Sequence, residues 1–93
     1  MYFVYIIESM KDGRYYAGQT ENIESRVKRH NSGRNLSTKA YLPWRLKWLK
    51  EFESRSEAVT VEKKIKKIKR RAGLEKFIQE NNFRGVAQPG PVT

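Results

Sequence analysis

Cysteine is absent from the 93 residues, and histidine occurs once. The first absence removes disulfide frameworks, thiolate nucleophiles and thiolate zinc sites, and the second leaves nothing for a histidine-rich metal centre. Long apolar runs are missing too. The opening stretch stays apolar only as far as Ile7 before Glu8 intervenes, and no cationic leader precedes it. Neither a signal peptide nor a membrane span is expected, which favours a cytoplasmic protein. Negative charge is in short supply: 10 acidic residues face 20 lysines and arginines, a formal charge of +10. Self-repulsion on that scale destabilises a compact chain, so a polyanionic partner is expected, nucleic acid first and an anionic membrane second.

A chain of this length makes one domain, because a second would be too small to bury its own core. Phe3 to Gly18 reads as a β-hairpin, with β-branched and aromatic residues in both arms and Lys11-Asp12-Gly13 at the turn. If Asp12-Gly13 is a two-residue loop, cross-strand partners sum to 25; a four-residue loop from Met10 to Gly13 makes them sum to 23. Either way Tyr5 lies opposite an even-numbered residue and shares its face with Tyr16. The second register sets Tyr5 against Gly18, where the missing side chain leaves a notch. Two phenols beside a notch suggest a pocket.

Further along, Thr20 is placed to cap a helix over roughly 21–31, with Ile23, Val27 and His30 on one stripe and Arg26 beside it. Ser32-Gly33 ends it. The loop from Arg34 to Pro43 is polar and basic; it is either a plain connection or a phosphate contact through Arg34 and Lys39. From Trp44 the pattern alternates, with Trp44, Leu46, Trp48 and Phe52 on one face and Arg45, Lys47 and Glu51 on a wet one. Ser54-Arg55-Ser56-Glu57 is a capping box that opens a second helix with a seam of Ala58, Val61, Ile65 and Ile68. Gly73 interrupts, and Leu74, Phe77 and Ile78 predict a short third helix ending near Asn81. The expected fold is α+β, a three-stranded antiparallel sheet flanked by three helices in the order ββαβαα. Residues 1–81 form the domain, and 82–93 read as an unstructured tail.

Each residue with chemical potential also has an ordinary explanation. Tyr5 and Tyr16 can simply fill the sheet, Arg26 can be a solvated cation, and His30 can be a hydrogen-bonded core residue. Glu62 can be an i,i+4 partner of Lys66. Yet Glu62 borders the buried seam, where a carboxylate loses hydration and needs an arginine or a metal ion. The run from Lys63 to Arg71, with Lys66, Lys67 and Arg70, is the densest charge in the chain and suits a nucleic-acid track.

Together, Val4-Tyr5, Tyr16-Ala17-Gly18, Arg26 to His30-Asn31, Pro43-Trp44 and Glu62-Lys63-Lys64 stand in an order that resembles the GIY-YIG nuclease superfamily. The likeness runs from Tyr2 to about Ile78. It is closest to the small stand-alone bacterial branch, which is similar to the N-terminal incision domain of the repair protein UvrC. Phe3 and Ala17 depart from the name motifs, and Gln19 stands where the UvrC relatives carry a lysine, which removes a cation. The resemblance implies metal-dependent endonucleolytic hydrolysis of DNA, with a structure preference and a repair role. Mg²⁺ or Mn²⁺ would sit on Glu62, Arg26 would brace the phosphate, and Tyr16 would orient water or phosphate. Tyr5 and His30 remain equal candidates for the general base. RNA is a second possible substrate, and a partner protein supplying specificity is also expected. The competing readings are a non-catalytic nucleic-acid-binding module with the same fold and a basic protein that docks on ribosomes or an acidic partner.

Overall fold

Val4-Tyr5-Ile6-Ile7 is an unbroken apolar run, the mark of a strand covered on both faces, and it forms the middle of the sheet. The computed structural model describes residues 1–68 and 70–81. Its elements are β1 (Tyr2–Ser9), β2 (Tyr15–Thr20), α1 (Ile23–Asn31), a 3₁₀ turn (Lys39–Tyr41), β3 (Trp44–Phe52), α2 (Arg55–Lys66) and α3 (Arg71–Asn81). Both neighbours pair antiparallel to β1, giving the strand order β2-β1-β3 and the α+β architecture ββαβαα. The expected tail over 82–93 lies outside the described residues. Among the described residues no helix is long and apolar enough to cross a membrane.

The hairpin adopts the register with Tyr5 opposite Gly18 and Ile7 opposite Tyr16. Its four-residue loop is tied by Ser9, whose Oγ accepts the backbone N–H groups of Lys11 and Asp12 at 3.0 and 3.2 Å. Gly13 closes the loop at φ 80°, a conformation that disfavours a side chain.

Two hydrophobic clusters sandwich the sheet. Tyr5, Ile7 and Trp44 meet Ile23 and Val27 of α1 on one side. Val4, Ile6 and Trp48 meet Ala58 and Ile65 of α2 and Ile78 of α3 on the other. Burying one such aliphatic side chain contributes about 1.5–3 kcal/mol, against about 0.3–0.5 for an exposed i,i+4 ion pair. Packing, not surface charge pairing, therefore holds α2 in place.

Three expectations are corrected. The expected single apolar face of β3 does not form: Ile6 pairs with Trp48 but Ile7 with Leu46, so Lys47 is an extra residue in a bulge. The bulge inverts the alternation, turning Trp44 and Leu46 toward α1 and Trp48 and Phe52 toward α2 and α3. Asn22, not Thr20, caps α1, accepting the Ser25 N–H at 3.0 Å. Thr20 instead forms a local turn with its Oγ1 accepting from the Asn22 N–H. Gly73 lies inside α3, and Ile68 falls beyond the end of α2. A β-carbon at 73 would come within 2.7 Å of Ile68 Cγ2, so the glycine permits close approach and does not break the helix. Of the predicted capping box on α2 the Ser54 cap forms, its Oγ accepting the Glu57 N–H at 3.2 Å, while the Glu57 carboxylate meets the Ser54 hydroxyl at 3.3 Å.

Glu8 is the buried acid of the sheet. Burial pushes its carboxyl up, but hydrogen bonds from Arg45 and Arg71 outweigh this and hold it below the usual carboxylate range. Arg71 thereby anchors α3 to β1 at the end of the sheet where the hairpin turns.

Candidate active site

The sheet's alternation sends the Tyr5 side chain toward α1, and the absence of a side chain at Gly18 lets the phenol lie across β2. A β-carbon at 18 would sit 2.6 Å from the Tyr5 hydroxyl. The notch read from the sequence is therefore filled by Tyr5 itself, which is 1% exposed and is not an open pocket wall.

α1 carries His30 to the same point. Its Nε2 lies 2.9 Å from the Tyr5 hydroxyl, and its Nδ1 lies 3.0 Å from Oγ1 of Thr38. The Thr38 hydroxyl also reaches the Asn35 carbonyl at 3.4 Å. With the hydroxyl proton directed there, Oγ1 accepts from Nδ1–H, which leaves Nε2 as the acceptor for the phenol. Tyr16 stacks edge-on against His30, centroids 5.3 Å apart, and against Trp44. Asn31 clamps the end of α1 to β3, accepting the Trp44 N–H at 2.6 Å and donating to the Trp44 carbonyl at 2.9 Å. The wall around the imidazole is thus built from α1, the 34–43 loop and the start of β3.

Burial raises the Tyr5 pKa; the Arg26 guanidinium beside it works the other way, while the charges of Tyr16 and Glu62 add to the rise. Burial, then the charges of Arg26 and Arg29, lower the pKa of His30. At neutral pH the pair is a neutral phenol donating to a neutral imidazole. Because the folded pKa of His30 is depressed, the unfolded chain takes up its proton first as pH falls through the ordinary value near 6.5. Stability is present above that value and declines below it. The melting temperature should fall between about pH 7.5 and about pH 5.5, and His30→Gln should flatten that dependence in thermal scans. An equal slope in the variant would assign the proton uptake elsewhere.

α2 approaches from the other layer and brings Glu62 to the β2 edge. Its Oε1 accepts from the Gln19 amide at 2.8 Å, and its Oε2 pairs with the Lys66 ammonium at 2.9 Å. The Glu62 side chain is 16% exposed. Gln19 therefore puts a neutral donor against the carboxylate. Among the described residues no cluster of three or more His, Asp or Glu could cage a metal.

The structure thus brings Tyr5, Tyr16, Arg26, His30 and Glu62 into one neighbourhood, the first four on the α1 side and Glu62 around the edge of β2. The expected phosphate-contacting residues divide into two groups. Arg34 and Lys39 belong to the loop after α1, while Lys63, Lys66, Lys67 and Arg70 follow α2, and all six are exposed. Lys66 is engaged with Glu62. Sequence reasoning missed Thr38, the fully buried partner of the imidazole, and the grip of Gln19 on Glu62.

The family profile described as the GIY-YIG catalytic domain matches residues 1–77. A UPF0213 protein of Bacillus licheniformis is 38% identical over 86 residues, covering 91% of this chain and 87% of the relative. One from Halobacterium salinarum is 39% identical over 71 residues, covering 75% of this chain and 91% of the relative. The solution NMR structure of a UPF0213 protein from Bacillus halodurans superposes with a TM-score of 0.57 at 34% identity, covering 89% of this chain and 88% of that one. With a profile match over most of its length and relatives of this identity, the chain belongs to the GIY-YIG catalytic domain family, a family of nucleases.

Proposed function

We propose that the protein is a divalent-metal-dependent endonuclease that hydrolyses phosphodiester bonds in DNA, with a structure preference and a role in repair, acting in the cytoplasm. The observation that carries this reading is the 2.9 Å contact between the Tyr5 hydroxyl and His30 Nε2, set against a carboxylate held at the same strand edge. It joins two groups that sequence reasoning had treated as rivals. A neutral phenol whose pKa burial has raised is a poor base alone. Hydrogen-bonded to an imidazole acceptor, it takes the proton of an attacking water while passing its own to Nε2. Thr38 holds the ring in the receptive orientation.

Glu62 suits Mg²⁺ or Mn²⁺, since a carboxylate is a hard oxygen ligand and each of its oxygens keeps a lone pair beyond its present partner. Gln19 fixes one oxygen, and Lys66 must yield the other. When bound, the cation supplies positive charge to the leaving oxygen and the phosphoryl group. Arg26 braces the non-bridging oxygens with paired hydrogen bonds, and Tyr16 packs against the imidazole that receives the proton.

The test is incubation with supercoiled plasmid and branched oligonucleotides in Mg²⁺, Mn²⁺ or chelator. Nicking that requires the metal is the expected result. Binding without cleavage, weakening steeply as salt rises, would establish the second reading, a binding module that keeps the nuclease fold. The ion pair between Lys66 and Glu62 is what favours that alternative.

A further inference from the structure

A cleft of about 420 Å³ opens beside Gln19, with Tyr2, Arg26 and Arg55 in its walls and Glu21 as the one acidic residue lining it. Arg55 is the first residue of α2, and among the described residues it makes no ion pair with any acid. Two guanidiniums against one carboxylate leave the cleft positive. Planar guanidinium forks suit the paired oxygens of a phosphodiester. Position sharpens this. Arg55 precedes Glu62 by seven residues on one helix, which places both on one face, about 10 Å apart along the axis.

The geometry points to Arg55 as the seat of a second backbone phosphate, in a subsite separate from the cleavage position. Successive phosphates on one strand are spaced more closely than the ~10 Å that separates Arg55 from Glu62, so the second phosphate lies within a few nucleotides of the bond that is cut. Arg26 lines this cleft and also acts on the electrostatics of Tyr5, which ties the cleft to the cleavage position. The cleft thereby sets the direction in which the strand crosses β2. This inference rests on the nuclease reading and extends it to the path of the substrate.

The experiment is fluorescence anisotropy of a short fluorescein-labelled DNA duplex in chelator, across a range of salt. Arg55→Gln should weaken binding about eightfold near 0.1 M salt and lower the salt slope by about 0.9, the counterion release of a single phosphate. Lys76→Gln, an exposed cation on α3, is the control and should change little. A methylphosphonate placed at each linkage in turn should reproduce the Arg55→Gln loss at one position and add nothing there to the variant. If Arg55→Gln matches the control, or its loss adds to every methylphosphonate, the subsite is wrong while the nuclease reading stands. If the wild-type protein shows no salt-dependent binding, both readings fall.

Discussion

Glu62→Gln should lower metal-dependent nicking by about a thousandfold or more, with the fold intact. The expected loss follows from the several kcal/mol of charge stabilisation that a cation lends a phosphoryl transition state, all of it routed through one protein carboxylate. The substitution keeps the shape and an acceptor oxygen for the Gln19 amide, so the local packing has no reason to change. It forfeits the pair with Lys66, an i,i+4 contact at the surface worth about 0.3–0.5 kcal/mol. The melting temperature should therefore move by no more than a few degrees. Calorimetric titration with Mn²⁺ gives an independent readout: binding to the wild-type protein should vanish in the variant. Nicking that persists at the wild-type rate would mean a contaminant or a different set of ligands.

Tyr5→Phe should reduce the cleavage rate by about 10²–10⁴, the range of a positioned acid–base group, while DNA affinity stays near wild type. Unlike Glu62→Gln, this change has a structural cost. The ring still fits over Gly18, but Nε2 of the fully buried His30 loses the one hydrogen-bond donor it has among the described residues. An orphaned buried acceptor costs about 1–3 kcal/mol, so the melting temperature should drop by about 4–8 °C for each kcal/mol. Single-turnover rates at a temperature well below melting separate the two effects. A variant that cuts at full speed would remove the phenol from the proton path and leave His30 acting alone.

What the sequence disclosed follows from how local each signal is. That Tyr5 and Tyr16 share a face was legible because strand periodicity is two, and both plausible loop lengths preserve the parity. The seam of α2 as far as Ile65 and the Ser54 cap were legible for a like reason, as patterns within one helix. Lys47 was not. A bulge leaves apolar residues alternating on both sides of it, so Trp44 and Trp48 read as one face when they belong to two. Thr38 was out of reach because its role depends on how a ten-residue loop folds back over His30, and no spacing rule encodes that. Gln19 was visible as a departure from the family pattern, but its bond to a residue 43 positions away is a tertiary fact. Gly73 was misread because glycine has two uses, ending a helix or admitting a neighbour, and only the packed Ile68 distinguishes them.

The groups proposed to react lie along β2, the margin of a sheet only three strands wide. Tyr5 reaches that margin from one layer and Glu62 from the other. On the endonuclease reading, a polymer laid sideways against such a rim would not have to be threaded, and covalently closed circles and strand interiors would be as accessible as termini. The sites of scission would then be set by the contour of the polymer and by the charges along the rim that hold it.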